Sequence, residues 1–309
     1  MIEQVILVSP RGFCAGVVRA IATVERALAL FGPPVYVRRA VVHNAHVAAG
    51  LSAAGAVFVN EVDDVPRGSV VVFGAHGVAM CVRDAARDRD LRIVDATCPL
   101  VAKVHAEVTR FRGAGYDVVL IGHPGHDEVV GTLGQITGVQ LVEDVRDVAA
   151  VQVRRPDRVA CVTQTTLRDE EVEPVVDALR DRFPMLEGPS ADICYATRNR
   201  QRAIKWLATR VDVVLVVGDR TSSNSQHLQE TAARACRASY LIESADRIQR
   251  SWLSDARVVG VCAGASTPDD LVSAVVERLR RDGADLQEHA VVEERVAFRL
   301  PAGAAVAVA

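Results

Sequence analysis

The chain contains few lysines and few aromatic residues, and it carries little net charge. Of its 309 residues only Lys103 and Lys205 are lysine, 4% are aromatic, and the formal net charge is −3. The scarcity of lysine argues against a Schiff-base enzyme and against a phosphate-binding P-loop. The small net charge gives no general attraction to nucleic acid or to an acidic membrane surface. The composition therefore predicts no nucleic-acid partner and no membrane partner.

Long apolar runs and close pairs of cysteines are also missing. No stretch approaches the ~20 uninterrupted apolar residues of a membrane helix, and the starting MIEQVILVSPRG leads into a predicted strand without a signal-peptide pattern. The seven cysteines show no close pairing, which argues against a disulfide framework. We therefore expect a protein of the reducing cytoplasm.

The sequence does contain one structural unit that occurs three times. Half of its residues are apolar, and predicted strands alternate with helices, which indicates an α/β protein with small parallel sheets. The repeats predict three lobes and a tail: 15–98; 99–194; 1–14 with 195–282; and 283–309. We expect one more edge strand in that tail, over Arg295–Leu300.

Three cysteines occupy the same turn of their repeats. Cys14, Cys98 and Cys194 lie 84 and 96 residues apart, and each falls between a strand and a helix. Because a helix N-terminus favours a thiolate, three such turns predict one shared metal centre. Three thiolates suit a four-iron cluster with one iron lacking a protein ligand and free to act as a Lewis acid; a three-cysteine zinc site is the alternative. The remaining cysteines are predicted to be small buried residues: Cys81, Cys161, Cys236 and Cys262.

Polar side chains cluster where the predicted strands end, and in parallel sheets ligands bind beyond those ends. The cluster consists of His43, His76, His126, Thr165, Ser222, Ser223, Asn224 and Ser266. No HExxH or similar zinc spacing occurs among the histidines. The set is suited to an anion, for which a diphosphate is the natural candidate, although solvated loop residues would give the same pattern.

Glu128 follows His126 by two residues, where a strand gives way to a helix. In a closed site its burial would raise its pKa and make it a proton donor. The alternative is a glutamate that the helix dipole favours in the first turn. The residues alone leave both interpretations open.

Nine motifs resemble those of the 4-hydroxy-3-methylbut-2-enyl diphosphate reductases, the LytB family. They occur in order between about Val5 and about Leu271. The motifs are PRGFCAGVVRAI, VVHN, AHGV, DATCPLVAKVH, GHPGHDEVVGT, TQTTL, DICYATRNRQ, SSNS and AGAST. The resemblance implies three α/β lobes arranged as a trefoil around an oxygen-sensitive 4Fe-4S cluster held by Cys14, Cys98 and Cys194.

The resemblance also implies a reaction, the last step of the methylerythritol phosphate route to isoprenoids. Two electrons and protonation remove the allylic hydroxyl of the substrate and give isopentenyl or dimethylallyl diphosphate. The implied catalytic residues are Glu128, Thr165 and His126. The implied substrate-binding residues are His43, His76, His126, Thr165, Ser222, Ser223, Asn224 and Ser266. Because GxGxxG is absent, we expect the electrons to come from a ferredoxin or flavodoxin.

Two residues depart from the family pattern. Asp127 stands where the family usually has proline, and Arg198 replaces a small residue. We expect Asp127 to raise the pKa of Glu128 or to weaken diphosphate affinity. Two other hypotheses fit three cysteines: a quinolinate-synthase-like or hydro-lyase enzyme that needs no net reduction, and a non-catalytic iron–sulfur or zinc sensor.

Overall fold

The computed structural model describes residues 2–189, 192–281 and 283–301. Its helices are α1 (Ala15–Phe31), α2 (Ala45–Ala53), α3 (Met80–Asp88), α4 (Pro99–Gly113), α5 (Asp127–Leu133), α6 (Asp169–Arg182), α7 (Tyr195–Ala208), α8 (Ser223–Ala233) and α9 (Asp269–Arg280). Its strands are β1 (Gln4–Ser9), β2 (Val35–Arg38), β3 (Ala56–Val59), β4 (Val70–Phe73), β5 (Arg92–Asp95), β6 (Asp117–Ile121), β7 (Val139–Val142), β8 (Val159–Thr163), β9 (Val213–Val217), β10 (Ala238–Ile242), β11 (Val258–Ala263) and β12 (Asp285–Ala290). Within the described ranges, no helix combines the length and apolar character needed to cross a bilayer.

The strands form three small sheets, and the predicted α/β class with small parallel sheets is confirmed. Their orders are β10-β9-β11-β1-β12, β3-β2-β4-β5 and β7-β6-β8. Every named strand pair is parallel. The bounds of the three lobes remain a prediction.

By its contacts the chain divides into two compact units. The first unit comprises Met1–Val17, His43–Val47 and Tyr195–Ala297, and it contains the five-stranded sheet. The second comprises Val18–Val42, Ala48–Cys194 and the residues from Phe298 onward, and it contains the other two sheets.

In the first unit both faces of the sheet are covered by helices. Leu7 and Leu215 pack in a buried cluster that includes residues of α9, and Ile6 and Val216 pack in a second cluster with residues of α7 and α8. A strand buried on both faces needs apolar side chains at every position, which explains uninterrupted runs such as VVLVV in β9. The same rule explains the fully buried β6 and β8 of the second unit.

The tail differs from the prediction. Arg295–Leu300 has no regular secondary structure, and the edge strand is instead β12, which pairs with β1. Its sequence DLQEHA is mostly polar because an edge strand of this kind buries little. Leu286 packs on the core, and the ring of His289 stacks on Trp206 at 3.7 Å between centroids. The apolar pattern that marks the central strands is therefore absent from β12.

Gly260 in β11 is required by the close approach of α7. An added Cβ would lie 2.8 Å from Leu207 Cγ, so we expect Gly260→Ala to lower the free energy of unfolding by about 1–3 kcal/mol. The matched control is Gly50→Ala, at an exposed position in α2 with nothing within 4 Å, which should raise it by about 0.5–1 kcal/mol. Denaturant unfolding of both variants measures the two changes. Equal effects would show that the contact with Leu207 does not limit this position.

Candidate active site

The three predicted metal-ligand cysteines lie in one and the same kind of turn. In each case the cysteine N–H donates to the carbonyl oxygen of the residue two positions beyond a strand, and a helix begins at the next residue. The donor–acceptor pairs are Cys98 to Ala75 at 2.9 Å, Cys194 to Thr165 at 3.0 Å and Cys14 to Ala265 at 3.1 Å. The repeat predicted from sequence spacing is therefore also a repeat of hydrogen bonding.

The local chemistry of these turns suits thiolate ligands. Cys98 is the N-cap of α4, and Pro99 occupies the first helical position, where a missing N–H costs nothing. The three cysteines are half-buried and none of them is in a disulfide, so the thiol at each helix N-terminus is partly accessible. By contrast, burial raises the pKa of Cys161 to about 12 and that of Cys262 further still. These two are inert core residues, as predicted.

One of the four cysteines predicted to be buried is not. Cys81 is exposed on α3. Four of the nine residues of α3 are charged, and Ala86 is its buried residue, so Cys81 lies on the part of the helix that faces solvent. Cys236 is buried, as predicted.

The predicted site residues, including the three cysteines, divide between the two units. The second unit contains His76, Cys98, His126, Glu128, Thr165 and Cys194. The first unit contains Cys14, His43, Ser222, Ser223, Asn224 and Ser266.

In the second unit Glu128 is fully buried, with 1% of its surface exposed. It occupies the second position of α5, and its N–H donates to Nδ1 of the N-cap residue His126 at 3.2 Å. The N–H of Thr165 donates to Oε1 of Glu128 at 2.7 Å, and the Thr165 hydroxyl donates to Oε2 at 2.9 Å. Both carboxyl oxygens are thus fixed by one residue at the end of β8.

Burial raises the pKa of Glu128 to about 7, and the negative charge of Asp192 adds to the rise, whereas the bonds from Thr165 oppose it. A carboxyl with this pKa holds a proton near neutral pH and is able to give it up, as a general acid must. The raised pKa that burial predicted for Glu128 is confirmed, whereas the charge of Asp127 is not among its causes. The carboxylate of Asp127 instead accepts from Nη1 of Arg39 at 2.5 Å.

Asp192 was not singled out by the sequence analysis. Its side chain is buried, its Oδ1 accepts from Nζ of Lys103 at 3.1 Å, and its Oδ2 accepts from the N–H of Thr163 at 3.1 Å. Burial raises the pKa of Asp192. Its position at the start of the DICYATRNRQ motif was the available sequence signal.

Gln164 is a second residue that the sequence analysis missed. It is buried beside Thr165, and its Oε1 accepts from the N–H of His123 at 3.0 Å while its Nε2 donates to Thr166 at 2.7 Å. Gln164 thereby ties the loop that leads to His126 to the end of β8. Its position inside the TQTT run was the only sequence signal.

His76 is presented by a tight turn in the second unit. Its ring meets that of His126 edge-on, with 5.8 Å between centroids. The next residue, Gly77, has φ +73°, and an added Cβ there would lie 2.5 Å from Cε1 of His105. His105 is buried beneath this turn, and burial lowers its pKa to about 4. A neutral imidazole therefore supports the turn that carries His76.

In the first unit, polar residues gather at the N-terminus of α8. The hydroxyl of Ser222 caps the helix by accepting from the N–H of Ser225 at 3.3 Å. Oδ1 of Asn224 accepts from the N–H of Ala265 at 2.9 Å, whereas its buried Nδ2 has no hydrogen-bond partner among the described residues. A buried amide donor at a helix N-terminus is suited to an anionic oxygen.

The same helix end lies unusually close to two strand ends. An added Cβ would lie 2.0 Å from Oγ of Ser225 at Gly264 and 2.3 Å from it at Gly218. Both positions must therefore be glycine for the N-terminus of α8 to pack this close to the two strand ends. The hydroxyl of Ser266, two residues beyond Gly264, donates to the carbonyl of His43 at 2.9 Å and fixes that histidine's backbone.

The turn of Cys14 has a further support that the sequence analysis missed. Arg200 of α7 is buried, and its Nη2 donates to the carbonyl of Gly12 at 2.8 Å. Nη1 of Arg200 lies 3.2 Å from Oε1 of Glu294, which neutralises the buried charge. The segment after β12 therefore contributes to the packing beside Cys14.

The sequence and the fold both have known counterparts. The family described as LytB protein matches residues 5–280. The 4-hydroxy-3-methylbut-2-enyl diphosphate reductase of Aromatoleum aromaticum is 55% identical over 302 residues, covering 97% of each chain. The reductase of the same name from Pectobacterium atrosepticum is 52% identical over 304 residues, covering 96% of each.

Two solved structures resemble this one. The E-1-hydroxy-2-methyl-but-2-enyl-4-diphosphate reductase of Plasmodium falciparum matches with a TM-score of 0.93 at 36% identity, over 97% of this chain and 96% of that one. A second reductase structure, described as the terminal enzyme of the non-mevalonate pathway, matches with a TM-score of 0.66 at 32% identity, over 91% and 99%. These matches confirm the resemblance predicted from the motifs.

The raised pKa of Glu128 predicts a pH-dependent stability. A carboxyl with a pKa near 4.3 when unfolded and about 7 when folded stabilises the fold below the lower value, and that contribution is lost as pH rises through the higher one. As the pH rises from about 4.5 to 8, the free energy of unfolding of Glu128→Gln should therefore increase by on the order of 3 kcal/mol relative to that of the unchanged protein. Denaturant unfolding across this range measures it, with Glu173→Gln, exposed on α6, as the control. A difference that does not vary with pH would contradict the assignment.

Proposed function

The chain belongs to the LytB family, and we infer that it is an oxidoreductase of isoprenoid biosynthesis. Like its curated relatives, it acts as a 4-hydroxy-3-methylbut-2-enyl diphosphate reductase. The reaction removes the allylic hydroxyl of the substrate as water, with two electrons and protonation, and gives isopentenyl and dimethylallyl diphosphate.

Cys14, Cys98 and Cys194 are the proposed ligands of a 4Fe-4S cluster, with one iron left without a protein ligand. When bound, such a cluster supplies electrons and a Lewis-acidic iron. Three observations support these ligands: none of the cysteines is in a disulfide, they are half-buried, and each has the same backbone hydrogen bond at the start of a helix. The proposed arrangement of the lobes is a trefoil around this cluster.

Glu128 is the proposed proton donor. Its carboxyl is fixed at both oxygens by Thr165, and its pKa of about 7 keeps a proton available near neutral pH. Thr165 orients this carboxyl, and its hydroxyl is the group through which a proton passes between Glu128 and a bound substrate. His126 binds the substrate and, by accepting from the N–H of Glu128, fixes the first turn of α5.

The diphosphate group of the substrate is proposed to bind to residues that belong to both units. In the second unit these are His76, His126 and Thr165, and in the first His43, Ser222, Ser223, Asn224 and Ser266. The buried Nδ2 of Asn224 supports this role, because it needs an acceptor that the described residues do not provide. The N-terminus of α8 supplies further N–H donors for the phosphate oxygens.

One observation carries the proposal. Thr165 holds the carboxyl of Glu128 through its N–H and hydroxyl, and its carbonyl accepts from the N–H of Cys194 at 3.0 Å. The proposed proton donor Glu128 and the proposed cluster ligand Cys194 are therefore both hydrogen-bonded to Thr165. A reductive dehydroxylase needs this combination, because electron delivery and protonation must act on one substrate.

A ferredoxin or flavodoxin is the proposed electron donor, because the sequence has no dinucleotide-binding motif. The proposed location is the cytoplasm, where cysteines outside disulfides, such as the seven of this chain, stay reduced.

Turnover under anaerobic conditions tests the function directly. Protein with a full iron and sulfide complement, supplied with dithionite and a viologen, should consume 4-hydroxy-3-methylbut-2-enyl diphosphate. Glu128→Gln should lose 10²–10⁴-fold in kcat, the usual range for a general acid, while keeping its iron and its substrate affinity. No consumption by the iron-loaded protein would end the proposal, and near-normal kcat in Glu128→Gln would show that another group supplies the proton.

Iron binding tests the ligand set independently of turnover. Cys98→Ser should lose the charge-transfer absorption of the cluster and most bound iron, because it removes a thiolate ligand. Cys81→Ser is the matched control, since this exposed thiol lies in the same unit. Equal iron content in the two variants would contradict the assignment of Cys98.

A further inference from the structure

Four charged residues form a chain of ion pairs in the second unit. Arg38 donates to Oε2 of Glu61 from Nε at 3.1 Å and from Nη2 at 2.6 Å. Arg39 lies 3.0 Å from Oε1 of Glu61 through Nη2 and 2.5 Å from Oδ1 of Asp127 through Nη1. The charges balance, and Asp127 is the member that stands between His126 and Glu128.

The pair of Arg39 and Asp127 is partly sheltered from water. Their side chains are 35% and 22% exposed, compared with 63% and 77% for the surface pair of Arg67 and Asp90. Such a pair is screened less by solvent than an exposed one. The bond to Asp127 is the largest cause of the raised pKa of Arg39, and Glu61 adds to it.

The backbone of Arg39 is held in a conformation that fits this role. Its φ is +55°, in the left-handed region, which costs a residue with a Cβ roughly 1 kcal/mol. The N–H of Arg39 donates to the carbonyl of Val59 at 2.7 Å, which fixes this conformation at the end of β2. The turn directs the guanidinium toward the first turn of α5.

Asp127, His76 and Arg39 all border the same small cavity. The cavity is lined by Arg38, Arg39, Ala40, Gly74, His76, Gly77, Val78 and Asp127. Without Arg39, the carboxylate of Asp127 beside His76 and His126 would lose the guanidinium that pairs with it. Both histidines are proposed to bind an anion, so an unpaired carboxylate there would repel it.

We propose that Arg39 is a positioning residue for substrate binding: it holds and neutralises Asp127 so that the two adjacent histidines face the diphosphate without an opposing charge. This role rests on the proposed function, since it presumes a diphosphate at His76 and His126. Arg39 does not touch the reacting atoms in this scheme. Its effect is therefore expected mainly in KM.

A double-substitution experiment tests the proposal. Arg39→Gln should raise KM for the substrate about tenfold, as one uncompensated charge near an anion does, with kcat changed less than about threefold. Adding Asp127→Asn to it should return KM to within about threefold of the unchanged protein. Arg67→Gln, which breaks the exposed pair, is the control and should leave KM unchanged.

Rescue separates an electrostatic role from a structural one. If Arg39→Gln and the double variant are equally impaired, or if Arg39→Gln leaves KM unchanged, the proposal is overturned. The affinity for inorganic diphosphate, measured by calorimetry on the same four proteins, should follow the same order. If the unchanged protein binds diphosphate but shows no turnover, the proposed function fails, and the order of affinities still decides the role of Arg39.

Discussion

Thr165 makes the contact on which the rest of the second unit's site depends. Its N–H and hydroxyl donate to the two carboxyl oxygens of Glu128, and its carbonyl accepts from the N–H of Cys194. The two bonds of its backbone groups form because Thr165 lies two residues beyond β8, where backbone groups no longer pair within the sheet. The pKa of this buried carboxyl stays raised despite the two hydrogen bonds, because burial disfavours its charged form more than the two bonds stabilise it.

The same geometry occurs at the other cysteine turns, where close packing requires glycine at particular positions. The residue two positions beyond the strand offers a carbonyl to the cysteine N–H, and the helix that follows begins at once. Glycine is needed where a helix or a supporting ring approaches the strand end, as at Gly264 beneath Ser225 and at Gly77 above His105. The buried apolar strands therefore fix where the strand ends lie, and the turns that follow them provide the functional side chains.

The two aspartates near Glu128, Asp192 and Asp127, affect its pKa differently. Asp192 is buried, pairs with Lys103 and raises the pKa of Glu128, whereas Asp127 is next to Glu128 in sequence and is paired with Arg39. Sequence proximity predicted the wrong aspartate, because neighbours in the first turn of a helix point in different directions. A chain with only two lysines places one of them where it balances a buried carboxylate.

The sequence by itself determined the fold class, the threefold repeat and the family, because apolar strands, cysteine spacing and strand-end polar runs are all local patterns. It also indicated Glu128 and Thr165, since each lies in a distinctive motif. It could not supply the edge strand β12, whose polar sequence buries little, or the partners Asp192, Arg39 and Gln164. Tertiary structure alone decided those, because a pKa or an ion pair depends on which distant side chains share a dry environment, and no local pattern encodes that distance.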